Sequence, residues 1–169
     1  HYSRNLWLLI IGLVHGYFFW YGDILAPYAV CSFFIYFFRK LPVKVLIIMG
    51  VLVFSVSSFI HLSEGMSVIK LPDSSIDRMA AGWTPNQKII DENAAAYLGS
   101  FQDQMLQRVK TLNMMHTELF PSFYVWRISG LMLIGMALFK SGFLLGQSTL
   151  RLYKRVLTIA ASAGFILVI

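Results

Sequence analysis

Four polar residues lie inside or at the ends of long apolar runs, and their types could support chemistry. His15 and Arg127 each stand about five residues from one end of such a run, and Asp23 and His61 stand at run ends. A histidine supplies a base or nucleophile, a carboxylate orients it, and a guanidinium binds anionic groups. The sequence therefore predicts His15 and Asp23 as catalytic residues and Arg127 and His61 as substrate-binding residues.

Each of the four also has a purely structural explanation. Arg127 can extend to lipid headgroups, and His15 can be a polar contact between helices. Asp23 can cap a helix, and His61, like His116, can be an ordinary residue near a membrane interface. The functional interpretation requires His15 and Arg127, each roughly 7 Å below the outer surface at 1.5 Å per residue, to share one outer cavity.

The runs that hold these residues predict an all-α, polytopic transmembrane helix bundle. The chain has 169 residues, is 57% hydrophobic and 13% charged, and has a mean hydropathy of +0.67. A soluble domain of this size has too small an interior for so much apolar side chain. Five spans are predicted, at residues 6–21, 24–38, 45–62 and 123–139 and from residue 156, where the chain end cuts the last one short.

Charge predicts the orientation of the bundle. Residues 39–44 and 140–155 contain Lys and Arg but no acid, whereas Asp23 and the acid-bearing stretch 64–118 fall on the other side. Short basic loops stay in the cytoplasm, so we expect a multi-pass protein of the bacterial inner membrane. Because topology accounts for the net charge of +6, we expect no nucleic-acid partner.

Three regions follow: three spans in residues 1–62, an extracytoplasmic segment in 63–122, and two spans with a basic cytoplasmic connection in 123–169. The middle region carries helix-start residues Thr84-Pro85-Asn86-Gln87 and an apolar stripe from Ile90 to Leu112. This pattern predicts one amphipathic helix, from about residue 85 to 119, interrupted mildly by Gly99, with its apolar face on the bundle mouth.

Several classes of site are excluded by motif. The single Cys31 forms no intrachain disulfide, and no metal-ligand cluster, P-loop, dinucleotide motif or Gly-x-Ser-x-Gly elbow occurs. We therefore expect no metal and no covalently bound cofactor. The first run ends in Phe18-Phe19-Trp20-Tyr21, not in a cleavage site, so it is interpreted as a retained span. A start at His1 and an end inside an apolar run predict a fragment of a longer protein.

Two segments carry a family resemblance. One runs from Arg4 through His15-Gly16 to Trp20-Tyr21-Gly22-Asp23-Ile24-Leu25, and the other runs from Gly130 through Met136-Ala137 to Phe143. They resemble the YeiB-like family of bacterial membrane proteins, whose C-terminal half is a domain of unknown function numbered 418. That family has no assigned reaction and is distantly similar to membrane acyltransferases that use cytoplasmic acetyl-CoA. Their catalytic His lies nearer the N-terminus, so the resemblance does not carry it onto His15.

Three functions remain open on this basis. The first is transfer of an acyl group from cytoplasmic acyl-CoA to an extracytoplasmic acceptor, with the basic inner loops attracting the CoA phosphates. The second is transport of a small anionic or polar solute, and the third is a structural or assembly role. The expected partners are the lipid bilayer, the remaining helices of a longer protein and, in a homo-oligomer, further copies of the chain.

Overall fold

The computed structural model describes residues 1–68, 72, 75–77, 84 and 86–168, with the side chains of 167 and 168 left aside. Over these residues the chain is helical and has no strand, so the predicted all-α class is confirmed. In chain order the helices are α1 (Tyr2–Val14), a π-helical segment (His15–Phe19), α2 (Leu25–Ile35), a 3-10 segment (Tyr36–Lys40), α3 (Val43–Val68), α4 (Gln87–Leu98), α5 (Phe101–Met114), a second π-helical segment (Met115–Tyr124), α6 (Val125–Lys140) and α7 (Leu150–Val168).

The bundle is built on two close helix pairs, α3 with α6 and α1 with α2, and α2 also packs on α6. Gly50 of α3 and Gly130 of α6 make the first crossing. A Cβ on Gly130 would lie 2.8 Å from the carbonyl oxygen of Gly50, so the two backbones meet where neither residue has a side chain. A core of Ile35, Leu46, Leu133 and Ala137 lies toward the inner end.

The inner ends of these helices are tied together. Lys140, the last residue of α6, donates from Nζ to the carbonyl oxygens of Arg39 at 3.0 Å and Leu41 at 2.6 Å. An ammonium group satisfies carbonyls that the end of a helix leaves free. The predicted placement of the 39–44 loop and the start of the 140–155 segment at one end of the bundle is therefore confirmed.

Two helices are long and apolar enough to cross a membrane in the part of the chain that the structure describes. They are Val43–Val68, with 26 residues, and the continuous helix Phe101–Lys140, with 40 residues. The helices over the other three predicted spans do not reach that combination of length and hydropathy, so the count of five is not confirmed. Large apolar side chains such as Phe34, Leu52 and Phe59 nevertheless stand exposed on the outer faces of α2 and α3.

The predicted single helix over residues 85–119 is wrong, because the structure breaks it at Gly99–Ser100. Ser100 is extended (φ −64°, ψ 162°) and starts α5 with a capping box to Asp103, which ends α4 at Leu98. The cap of α4 is Asn86, whose side chain accepts from Ile89 N–H at 3.0 Å. Thr84 is therefore not the cap, and Pro85 lies outside the described residues.

The break also changes what the apolar stripe covers. Leu112 in α5 is buried and packs at the bundle mouth, as predicted. Ile90, Tyr97 and Phe101 are exposed, so the prediction that the whole stripe faces the bundle is wrong for its first half. The physical reason is that the extended residues at 99 and 100 end the common helical axis. The apolar side chains of α4 therefore need not face the same direction as those of α5.

Candidate active site at the outer end of the bundle

The candidate site is formed where α1 ends. The helix widens into the π-helical segment His15–Phe19, and the chain then becomes extended at Trp20 (φ −152°, ψ 122°). The turn that follows brings Asp23 back beside α1 at the start of α2. Single π-helical turns are rare and occur frequently at functional sites.

His15 and Asp23 form a hydrogen-bonded pair. His15 Nδ1 lies 3.1 Å from Asp23 Oδ1, and Asp23 Oδ2 accepts the backbone N–H of Ala26 at 2.9 Å. The Asp23 side chain is 2% exposed and the His15 side chain is 40% exposed. Both carboxylate oxygens are therefore engaged, and the hydrogen bond fixes the orientation of the ring.

The prediction that Asp23 is the N-cap of α2 is wrong by one residue, because the N-cap is Ile24, but the Asp23 side chain still accepts the N–H of Ala26 in the first turn. The start of α2 is a favourable place for a carboxylate, because unpaired N–H groups and the helix dipole both stabilise negative charge there. The orienting role, a carboxylate holding a histidine, is present in the same side chain. The structural and the functional interpretations of Asp23 are thus compatible.

Gly12 makes this geometry possible. A Cβ at this position would lie 2.5 Å from Ala26 N and 2.9 Å from Asp23 Oδ2. Only a residue without a side chain lets α1 approach the first turn of α2 so closely. Gly16, one turn further on, lies against the Cβ of Asp23 and the side chain of Leu112. The predicted close helix contact at Gly12 and Gly16 therefore encloses Asp23.

A cavity of about 140 Å³ opens beside Asp23. Its wall includes Tyr21, Asp23, Pro27, His116, Phe120 and Tyr124. A second cavity, of about 180 Å³, shares Pro27, His116 and Phe120 and continues against Leu9, Leu13 and Val30. The first cavity thus combines a buried carboxylate, an imidazole and two phenols with an apolar wall, and the second is almost wholly apolar.

Helix α5 holds the outer side of the site. Arg108 Nη1 donates to the carbonyl oxygen of Phe18 at 2.7 Å, and Nη2 donates to Gln104 Oε1 at 2.8 Å. Tyr17 Oη donates to Asn113 Oδ1 at 3.3 Å. The first π-helical segment is therefore fixed by side chains that lie about ninety residues later in the sequence.

Arg127 and His61 lie elsewhere, on the outer ends of α6 and α3. The Arg127 Cζ atom lies 5.4 Å from the ring centroid of Phe54 and 5.3 Å from that of Phe123. The His61 ring lies 4.7 Å from Phe123, centroid to centroid, and its Nδ1 is 3.1 Å from Glu64 Oε2. These two predicted binding residues are thus grouped around Phe123.

These contacts do not place His15 and Arg127 in the one shared cavity that was expected from the sequence. Arg127 is exposed, neither residue is part of the walls of the two cavities beside Asp23, and the partner of His15 is Asp23. Matched depth in two helices does not fix their rotation about their own axes, which decides where side chains point. Whether either group binds a substrate stays a prediction.

His116 is the site residue that the sequence analysis passed over as ordinary. It lies in the second π-helical segment and contributes to the walls of both cavities. A signal was available, because His116 follows the buried Leu112 by four residues and so continues the apolar stripe on one helical face. It was set aside because a histidine near a membrane interface is often an ordinary residue.

The arrangement is suited to proton transfer. No group of three His, Cys, Asp or Glu side chains that could hold a metal ion occurs among the described residues. With Nδ1–H donating to Asp23, Nε2 of His15 is the nitrogen left to accept a proton. No protein hydrogen bond to that atom is found in the described part of the chain. An oriented imidazole beside a buried carboxylate is the arrangement of a general base.

Comparison with known proteins gives a relative without an assigned activity. The chain is 33% identical over 168 residues to a protein of Escherichia coli (strain K12) named "Uncharacterized protein YeiB". The match covers 98% of this chain and 40% of that protein, so the chain spans two fifths of the length of the curated relative it matches. No protein-family model and no solved structure matches the chain. The similarity to that protein extends over nearly the whole of this chain.

Proposed function

We propose that this chain is part of a multi-pass membrane acyltransferase in which His15, oriented by Asp23, is the general base. The observation that carries the proposal is the 3.1 Å contact between His15 Nδ1 and the buried Asp23 carboxylate. A carboxylate that is engaged on both oxygens holds the imidazole in one orientation and stabilises the imidazolium that forms during proton transfer. The distant resemblance of the sequence to membrane acyltransferases points to the same reaction class.

The proposed step balances in atoms and charge. His15 Nε2 accepts the proton of a hydroxyl or amine as its oxygen or nitrogen attacks the thioester carbonyl of acyl-CoA. The tetrahedral intermediate then collapses, the C–S bond breaks, and the imidazolium returns the proton to the departing thiolate. Free CoA and the acylated acceptor are the products, and no oxidant or metal is required.

A membrane setting supports this proposal. The outer faces of α2 and α3 expose large apolar side chains, which a bilayer would cover. We propose five spans. Two are the helices that are already long and apolar enough to cross a membrane, and α1, α2 and α7 are the other three. The acid-free inner loops then lie in the cytoplasm of a bacterial inner membrane.

The same orientation places the donor and the acceptor on opposite sides. Basic side chains collect at the inner end and include Arg39, Lys40 and Lys140, and the start of α7 adds Arg151, Lys154 and Arg155. Such side chains attract the phosphate groups of CoA. Further helices of a longer protein would form the path along which the pantetheine arm of CoA carries the thioester to His15 at the outer site.

An acyl-transfer assay on the full-length protein in proteoliposomes tests the proposal. Acetyl-CoA is supplied on the inner face, glucosamine or a long-chain alcohol on the outer face, and the free CoA thiol is measured. We expect thiol release that depends on the acceptor, and a fall of about a hundredfold or more in Asp23→Asn. The matched control is Asp91→Asn, which removes an exposed carboxylate from α4. Movement of an unmodified solute without thiol release would support transport and overturn the proposal.

A further inference from the structure

The two cavities beside Asp23 differ in chemistry but adjoin one another. They share Pro27, His116 and Phe120 as a common wall. On one side of that wall lie Asp23 and two tyrosines, and on the other lie Leu9, Leu13 and Val30. A ligand that fills both would therefore meet the Asp23 carboxylate and the two phenols at one end only.

The apolar cavity lies at the depth of hydrocarbon in the proposed membrane. Leu9 and Leu13 belong to the apolar run of α1, and Val30 lies in the middle of α2. The polar cavity lies at the outer end of the same helices, where α2 begins. The axis through the two cavities therefore runs from the interface into the bilayer, as a lipid does.

We propose that the two cavities bind a single-chain amphiphile with a hydroxyl or amine head, taken from the bilayer. The head lies beside Asp23 in the first cavity, and the hydrocarbon chain passes Pro27 and Phe120 into the second. The inference rests on the proposed function only for the role of this lipid as the acyl acceptor, whose head would reach His15 past Asp23, since His15 itself lines neither cavity. Binding itself is independent of turnover.

Charge selects the head group. None of the described residues in the two cavity walls is Lys or Arg, whereas the walls contain the Asp23 carboxylate and the His116 imidazole. A phosphate or carboxylate head would have no cation to pair with and would lie next to a carboxylate. A hydroxyl or ammonium head can donate to Asp23, which has acceptor capacity beyond its bonds to His15 and Ala26.

Photolabelling of the full-length protein in phosphatidylcholine vesicles tests the proposal. The label is a long-chain alcohol with a diazirine in its chain, and the labelled residues are identified by peptide mass spectrometry. We expect labelling on α1 and α2 near Leu13 and Val30. We expect Val30→Trp on α2 and Leu9→Trp on α1, which fill the apolar cavity from two helices, each to reduce labelling about tenfold. Leu52→Trp is the matched control, because Leu52 is exposed on α3 and is not part of either cavity wall.

Competition with unlabelled lipids of the same chain length identifies the head group. The alcohol and the amine should compete at least about tenfold better than the fatty acid and the alkyl phosphate. Equal labelling of Val30→Trp, Leu9→Trp and Leu52→Trp would show only general contact with lipid and would overturn the proposal. Stronger competition by the fatty acid would overturn the assignment of the head group.

The outcomes also separate the two proposals. Specific labelling without acyl transfer would retain the lipid site and reject the proposed function. Acyl transfer to glucosamine without specific labelling would retain the proposed function and reject the lipid site. Thermal unfolding of each variant in detergent shows whether a loss of labelling comes from a folded protein.

Discussion

The imidazole of His15 and the carboxylate of Asp23 are eight residues apart in the sequence, and their Nδ1 and Oδ1 atoms lie 3.1 Å apart. The π-helical end of α1 presents the first, and the first turn of α2 holds the second through Ala26 N–H. The Asp23 carboxylate therefore accepts a hydrogen bond at the start of α2 and also orients the imidazole of His15. Changes that disturb the approach of α1 to α2 should therefore affect stability and activity together.

Gly12→Ala is expected to destabilise the protein by about 1–3 kcal/mol, because overpacking forces the backbone apart. The added Cβ would lie 2.5 Å from Ala26 N. The control is Gly135→Ala in α6, where no atom lies within 4 Å of the new Cβ and the higher helix propensity of alanine is favourable. Thermal unfolding in detergent measures both variants. An unfolding temperature for Gly12→Ala equal to that of Gly135→Ala would show that the close contact is absent.

Arg108→Ala should loosen α5 from the site. The substitution removes a hydrogen bond from a charged donor to Phe18 O, an interaction typically worth about 1.5–3 kcal/mol. Hydrogen exchange over residues 101–114 and 15–19 should become faster, whereas the exposed Lys110→Ala on the same helix should change neither region. Identical exchange in the two variants would mean that Arg108 does not fix the π-helical segment.

Asp103 should make the start of α5 sensitive to acid. The hydrogen bond from the Ser100 hydroxyl, followed by that from Ser100 N–H, lowers the pKa of Asp103 below its ordinary value. The stabilisation is therefore present above the ordinary pKa and is lost as the pH falls through the lowered one. A carboxyl-carbon NMR titration should show this pKa rising in Ser100→Ala. An unchanged midpoint would contradict the capping box.

These elements differ in how far the sequence could predict them. The all-helical class followed from composition, and a carboxylate at the start of α2 followed from the place of Asp23 before an apolar run with Pro27 in the first turn. The π-helical segments could not be foreseen, because a single inserted residue leaves the apolar periodicity of a run nearly unchanged. The position of Arg127 over Phe54 and Phe123 depends on helix rotation, which hydropathy does not determine.

The break at Gly99 was visible but underestimated. A glycine inside a helical pattern lowers helix stability by only about 1 kcal/mol, which favoured a continuous helix. The strong cap at Ser100 and Asp103 provides the competing start that ends α4. The glycine and the adjacent cap together therefore decided the structure, although the apolar stripe continued past them.

Orientation in the membrane can be tested by cysteine labelling in intact cells. The acid-free inner segments predict that a cysteine in place of exposed Lys88 reacts with an impermeant reagent and that one in place of Ser148 does not. Cys31 is buried and contributes little background. Labelling at Ser148 with protection at Lys88 would reverse the orientation.

Chemical rescue tests the role of His15 most directly. Acyl transfer by the full-length protein is measured for His15→Ala with and without added imidazole, and Asp91→Asn serves as the folded control. If His15 is the general base, His15→Ala should lose about 10²–10⁴-fold in rate, and imidazole should restore part of it in proportion to its concentration. Full activity of His15→Ala, or a loss that imidazole leaves unchanged in a protein that unfolds at the normal temperature, would contradict the account.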